Sequence, residues 1–425
     1  MLGIATALVL VAGLSPLAAG HWEGTLTRGD AQLPVRIDIA ADGAHGTFSA
    51  PDVGAVGVPL SAVRAAGPVH FELVGDRTTT VFDATVTGDA MTGTFRENGA
   101  REGVLHLRRV PDATARPYDA EPITFANGDV RLSGTVFVPR TPGPHPAAVL
   151  VHGSGDEGRW ATAPIADALA RNGVVALAYD KRGVGASGGN WRTSTLRDLA
   201  GDARAAVHAL ALRADVDRAR LGVYGHSQGA EIAPEIARDD AEVRWIAAAD
   251  GPVGPEYRQD LFRVDTALAT RWSGDALTQA EALYAEFVDV ARNGAPHERL
   301  RADLARAARA PWLDELAIPA DESWIWAWYA KVGNYDNTAA WSSVRVPVLL
   351  LFGADDRLVP PQASIDDVVR ILRAHGNDAV TVRTFAGADH TLHVPPANVD
   401  GWPHFAPGFP DAVAAFAQHP GRTTP

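Results

Sequence analysis

The sequence predicts an α/β fold: a mostly parallel, doubly wound sheet interrupted by a helical cap insertion and preceded by a small all-β domain. Three observations predict it. Residues 21–110 carry two-residue apolar alternation and no helix-period stretch. From residue 123 strand-like and helix-like segments alternate to the end. Between residues 254 and 342 the strand-like runs stop while helix-period segments continue.

Taken in order, residues 1–20 come first. The apolar run Ile4 to Leu14, closed by Ser15-Pro16-Leu17-Ala18-Ala19-Gly20, has the length and small-residue ending of a secretion signal. It is too short for a membrane span, and it departs from the signal pattern in having no Lys or Arg before it. The expectation is an exported protein, periplasmic or extracellular, cleaved near Gly20. Next, segments such as Val35-Arg36-Ile37-Asp38-Ile39 and Val81-Phe82-Asp83-Ala84-Thr85-Val86, separated by turns such as Thr87-Gly88-Asp89, predict an antiparallel barrel or sandwich over 21–110. Residues 111–122 read as a proline-bounded linker. Asn127-Gly128 then marks a hairpin between Ile123-Thr124-Phe125 and Leu132 to Val138. Strand cores follow near 147–151, 174–179, 221–224, 243–248, 348–352 and 380–385, so 123–253 and 343–425 form one α/β domain around the insertion. In the insertion, Leu277 to Asn293 and Ala302 to Glu315 have helical period, and Trp312, Trp324, Trp326 and Trp328, with Trp341, suggest a hydrophobic acyl or aromatic pocket.

Gly225-His226-Ser227-Gln228-Gly229 sits where the run Leu221-Gly222-Val223-Tyr224 ends and a helix begins. That is the context of a strained strand-to-helix turn with an exposed serine hydroxyl. Side chains two residues before or after Ser227 would strike the neighbouring strand or helix, which explains the glycines. The Gln228 N–H, at the positive end of the helix, is placed to meet a developing oxyanion. Two later strand-like runs end in Gly353-Ala354-Asp355-Asp356 and Gly387-Ala388-Asp389-His390, just past the carboxyl ends where parallel sheets place their sites. A serine needs a histidine to take its proton, and the histidine needs a carboxylate to fix its tautomer.

With 425 residues, 46% hydrophobic and 21% charged, the chain has apolar mass for more than one core. A net charge of -13 argues against nucleic acid or an anionic membrane as partner, because phosphate contacts need clustered Lys and Arg. The absence of cysteine excludes disulfides, thiol chemistry and an acylated lipoprotein anchor. No histidine–carboxylate spacing resembles a zinc site, so neither metal nor cofactor is expected.

Over roughly residues 120–420 these segments resemble the α/β-hydrolase superfamily, which carries G-x-S-x-G, then G-x-x-D-x-x-V-P, then G-x-x-H. The resemblance implies Ser227 as nucleophile, Asp356 as acid with Asp355 as the alternative, and His390 as base with His393 as rival. The ordinary alternative for the two aspartates is capping of the next helix. The segment His152-Gly153-Ser154-Gly155 after a buried strand resembles the superfamily's H-G-x loop, which implies the Ser154 N–H as second oxyanion donor beside Gln228. Tyr179-Asp180-Lys181-Arg182-Gly183-Val184-Gly185-Ala186-Ser187 resembles the superfamily's D-x-R-G-x-G-x-S loop. It reads as structural, with Arg182 paired to a carboxylate. Glu231, after Ala230 where relatives often carry glycine, suits the helix dipole. The all-β domain resembles those ahead of some exported bacterial hydrolases and is expected to border the active-site mouth, with carbohydrate binding as the alternative. The implied activity is that of a carboxylesterase acting on a small-molecule ester through an acyl-enzyme. A serine peptidase of the aminopeptidase or prolyl-oligopeptidase type is the alternative. A thioesterase, an acyltransferase and an inactive binding protein stand further off.

Overall fold

The computed structural model describes residues 17–65, 67–75, 78–111 and 116–421, in two units. The first comprises residues up to Arg116 together with Ala397–Trp402. Its strands are β1 (Gly20–Arg28), β2 (Ala31–Ile39), β3 (Gly46–Ala50), β4 (Ala55–Pro59), β5 (Ser61–Arg64), β6 (Val69–Val74), β7 (Thr79–Thr87), β8 (Ala90–Glu97) and β9 (Arg101–Val110). They form one antiparallel sheet in the order β4-β3-β2-β1-β9-β8-β7-β6-β5. The two edge strands are separated only by Leu60, and a two-residue step spans no more than about 7 Å. The sheet must therefore curl until its edges adjoin, which makes it a barrel-like roll. The alternation read from the sequence faces this interior: Leu33, Val35, Ile37 and Ile39 are buried, as are Trp22, Phe71, Phe82 and Phe95. Phe71 stacks on Phe82 at 4.7 Å. Ala397–Trp402 docks on the same unit: Arg28 donates to the carbonyls of Asp400 (2.8 Å) and Gly401 (3.0 Å), and its guanidinium lies 4.3 Å from the Trp402 ring.

The expected export signal falls largely on residues 1–16, outside the described residues. Of its last residues, Ala18 is buried and its carbonyl accepts the Trp22 indole N–H at 2.8 Å, while Gly20 opens β1. No helix among the described residues is long and apolar enough to cross a membrane.

The second unit holds a sheet of eight strands: β10 (Tyr118–Asn127), β11 (Val130–Pro139), β12 (His145–Val151), β13 (Val175–Tyr179), β14 (Val216–His226), β15 (Ile246–Ala249), β16 (Val348–Gly353) and β17 (Val380–Phe385). Their order is β10-β11-β13-β12-β14-β15-β16-β17; the first two pairings are antiparallel and the rest parallel. Helices α1 (Ala163–Arg171), α2 (Leu196–Ala211) and α3 (Gln228–Asp239) connect the central strands. Every residue of β12 and of β16 is buried, the continuous apolar signature of a parallel sheet covered on both faces. Gly222 is required by close packing, since a Cβ there would lie 2.2 Å from the Trp245 ring.

One domain boundary differs from the sequence reading. The linker expected over 111–122 is shorter, because β10 begins at Tyr118 and runs through Pro122. Proline is tolerated there because β10 is an edge strand, where a missing N–H breaks no ladder.

The insertion leaves after β15 and returns before β16. It contains α4 (Glu256–Ala269), α5 (Gly274–Asn293), α6 (Glu298–Arg306), α7 (Trp324–Val332) and the short α8 (Thr338–Trp341). The single helix expected over 302–315 is instead α6 followed by a 3-10 turn at Leu313–Leu316, because Pro311 cannot continue the helical hydrogen-bond ladder. The insertion has its own apolar cluster, including Leu268, Leu283, Phe287, Leu300 and Trp312. Its two ends are stapled by the buried Asn337, which donates to the carbonyls of Glu231 and Pro252 and accepts the Gly254 N–H, each at 3.0 Å. After β16 come α9 (Pro361–Ala374), β17, the two-residue strands β18 (His393–Val394) and β19 (His404–Phe405), and α10 (Phe409–Gln418).

Candidate active site

Ser227 joins β14 to α3 at φ 52° and ψ −118°, a left-handed conformation that an L-residue holds only under constraint. The turn is tight because the neighbouring positions lack side chains. A Cβ at Gly225 would lie 2.3 Å from the Gly229 carbonyl oxygen, and one at Gly229 would lie 2.2 Å from the Val151 carbonyl oxygen. The clash with helix and strand expected from the sequence is thus real at both positions.

The turn delivers Ser227 Oγ to 3.0 Å from His390 Nε2, and His390 Nδ1 lies 2.8 Å from Asp356 Oδ2. The other oxygen, Asp356 Oδ1, accepts the N–H groups of Leu358 (2.7 Å) and Val359 (3.0 Å). Asp356 is buried whereas Asp355 points to solvent, and neither caps α9, whose first turn has no side-chain cap. His393 does not reach Ser227; it turns toward Thr391 and packs against Phe405. The row therefore joins Ser227, His390 and Asp356 and leaves Asp355 and His393 outside it.

Two neighbours of this row were not singled out from the sequence. His226 Nε2–H donates to the His390 carbonyl at 2.8 Å, and burial together with the nearby His390 holds its own imidazole down to about 4, so it stays neutral. Asp250, directly after β15, is wholly buried and adopts φ 49°. One oxygen accepts the Gly353 N–H at 2.9 Å, and the other has no donor to accept from. Burial and the charge of Asp356 push the Asp250 carboxyl well above the usual range. That shift favours the protonated acid, whose free oxygen would donate toward Asp356. Donor atoms of Asp250, Asp356 and His390 lie within 4.8 Å of one another, the one set of metal-type donors that the described residues bring together. A strand-end acid following Ile246-Ala247-Ala248-Ala249 was the available signal, the same one that marked Asp356.

Residues 142–396 match the family model described as serine aminopeptidase, S33. The chain belongs to the serine aminopeptidase S33 family. That membership makes it a serine hydrolase of the α/β-hydrolase superfamily. Esterase EstD of Thermotoga maritima is 26% identical over 308 residues, covering 69% of this chain and 67% of that protein. An uncharacterized Mycobacterium tuberculosis protein is 36% identical over 256 residues, covering 60% of this chain and 68% of its own. The solved proline iminopeptidase of Mycobacterium smegmatis aligns over 70% of this chain and 97% of its own, with 20% identity and a TM-score of 0.47.

In this S33 chain a cavity of about 310 Å³ opens at Ser227, lined by Ser154 and Gln228 and, from the insertion, by Glu256, Gln259, Trp328 and Tyr329. The backbone N–H groups of Ser154 and Gln228 have no acceptor among the described residues. The aromatic pocket expected from the tryptophans is not what forms. Among the five only Trp328 lines this cavity; Trp324 packs edge-on against Trp191, Trp326 against Phe287, and Trp312 and Trp341 are buried in cores. A tryptophan-rich stretch does not reveal which faces meet neighbouring helices, and here most do.

Carboxylates occupy the wall instead. Glu231, expected only to serve the helix dipole, is buried at the cavity beside Glu256. Glu231 Oε1 and Glu256 Oε2 are both buried without a hydrogen-bond partner. Burial raises both carboxyls, Glu256 to about 8, and the neighbouring Glu256 raises Glu231 further. Asp260, also at the wall, is neutralised by Arg263 (2.9 Å) and by the hydroxyls of Tyr284 and Tyr329. Arg182 takes the structural part expected of it, a two-pronged pair with Asp202 at 2.6 Å on each side.

Proposed function

We propose that this chain hydrolyses carboxylic esters through an acyl-enzyme on Ser227. The observation that carries the reading is the row Ser227–His390–Asp356, with its 3.0 and 2.8 Å spacings, opening on the cavity. In the proposed cycle Ser227 Oγ attacks the acyl carbon while His390 Nε2 takes its proton, and Asp356 holds the Nδ1–H that leaves Nε2 free to accept. The N–H groups of Ser154 and Gln228 receive the oxyanion. His390 returns the proton to the leaving alcohol, and water then repeats the sequence on the acyl-serine. Because α4 and α7 line the same cavity as Ser227, the insertion acts as a cap that selects substrate. The expected result with an activated organophosphonate is a single covalent adduct at Ser227, read by mass spectrometry of the digested protein. Wild-type protein left unmodified there would overturn the reading.

The wall of Glu231 and Glu256 favours a second reading, a peptidase or ester hydrolase that takes acyl groups bearing a cation. A cation would favour an ionised carboxylate at the wall, so the preference must grow as Glu256, whose carboxyl burial pushes up to about 8, loses its proton. A p-nitrophenyl ester of betaine is expected to exceed its uncharged tert-butylacetyl counterpart in kcat/KM by roughly tenfold at pH 9, the equivalent of about 1.4 kcal/mol. The ratio should shrink toward pH 6. A ratio at or below one throughout removes this second reading.

A further inference from the structure

Lys181 is the one lysine whose side chain is wholly buried among the described residues, at 0% exposure. Burying an ammonium is costly unless it is fully occupied. Here its Nζ donates to two carbonyls, those of Gly153 (2.5 Å) and Gly155 (2.9 Å), and lies 5.4 Å from the Trp191 ring. Those two carbonyls flank Ser154. From the other side, Glu157 accepts the Gly153 N–H at 2.6 Å. Gly153 is thus held by both of its backbone groups.

In a trans peptide the carbonyl and the next residue's N–H point in opposite directions. Gripping the Gly153 carbonyl therefore fixes where the Ser154 N–H points: away from Lys181. Ser154 lines the cavity with Ser227, and its N–H has no acceptor among the described residues. Glycine at 153 would otherwise let this peptide rotate cheaply, because no Cβ restrains it.

We propose that Lys181 is a positioning residue that locks the Gly153–Ser154 peptide with its N–H aimed at the acyl oxygen, so that the oxyanion site is formed before substrate arrives. This rests on the reading of Ser154 as an oxyanion donor. Lys181 touches no reacting atom. Its effect is confined to the strength of one hydrogen bond that matters most in the transition state.

The test is Lys181→Met, which keeps the apolar stem and removes the donors, with Lys181→Gln, which keeps a neutral N–H₂ donor. With p-nitrophenyl acetate, Lys181→Met is expected to lose on the order of 10²–10³ in kcat, as for removal of one oxyanion donor, with KM changed less than about threefold. Lys181→Gln should fall between Met and wild type. Affinity for a trifluoromethyl ketone, which forms the tetrahedral adduct on Ser227, should weaken in step with kcat/KM across the series. Acetate, which lacks the tetrahedral oxyanion, should inhibit all three alike. A folded Met variant with wild-type kcat would overturn the proposal. So would a kcat loss with unchanged ketone affinity, which would mean general loosening of the loop. If the Met variant does not fold, the same two comparisons decide on Lys181→Gln alone. A wild-type protein inactive toward all activated esters and unlabelled by phosphonate would instead sink the underlying function, so the two failures are distinct.

Discussion

Replacing Ser227 with alanine is expected to lower kcat on activated esters by on the order of 10⁶-fold while leaving the thermal melt nearly unchanged. Alanine keeps the Cβ, so the constrained turn at φ 52° and its fit between Gly225 and Gly229 are preserved. What disappears is the Oγ that attacks the acyl carbon in the proposed cycle. A residue of rate above solution is expected to survive, supplied by the two N–H donors and by the cavity. Steady-state rates on p-nitrophenyl acetate, with active-site titration to exclude wild-type carry-over, provide the check. Retention of more than one part in a hundred would mean another nucleophile, and the proposed cycle would be wrong.

Asp356→Asn is expected to cost about 10⁴ in kcat, the scale seen when a triad acid becomes an amide. The local hydrogen bonds explain why the amide is harmful here. Oδ1 accepts from Leu358 and Val359, so the oxygen of an asparagine must take that place. Its N–H₂ is then forced toward His390 Nδ1. That contact favours the tautomer with the proton on Nε2, which cannot accept from Ser227. Asp250→Asn is the informative companion. Burial and the Asp356 charge favour the protonated form of the wild-type residue, and an amide supplies a donor of the same shape, so kcat should stay within about tenfold of wild type. An Asp356→Asn enzyme with a tenth or more of wild-type activity would show that Asp250 can serve as the carboxylate in its place.

The parts of the fold legible in the sequence were those in which one residue's environment repeats along an element. The fully buried β12 and β16 were read from unbroken apolar runs, and the Asn127-Gly128 hairpin from its turn chemistry. Glycines at 225 and 229 announced the turn because a steric rule operating within five residues is visible in five residues. Order along the chain and strand-end position narrowed the candidates, and the resemblance to the α/β-hydrolase superfamily picked out Ser227, Asp356 and His390, which the structure brings within hydrogen-bond reach. What escaped depends on contacts between distant segments. Glu231 meets Glu256 only because the insertion folds back over α3, and the Asp250 carboxyl is raised because the fold buries it and sets Asp356 beside it. The tryptophans misled for the same reason: composition reports aromatic mass but not which side of a helix faces a cavity. Lys181 was read as part of a structural loop, and its consequence appears only when the two carbonyls it grips are seen to flank Ser154.

One feature of the β-roll bears on how this molecule can be taken apart. Ala397–Trp402 lies between β18 and β19, yet it belongs with the first unit, where Arg28 holds the carbonyls of Asp400 and Gly401 and Phe95 packs against Trp402 at 6.1 Å. The polypeptide therefore passes between the units three times, at 116/117, 396/397 and 402/403. A protein trimmed to start at Pro117 would keep this hexapeptide while losing the arginine and phenylalanine that receive it. The two units are thus not interchangeable modules on a string. Any transplant, fusion or circular rearrangement of this chain has to move the N-terminal roll and the 397–402 segment together.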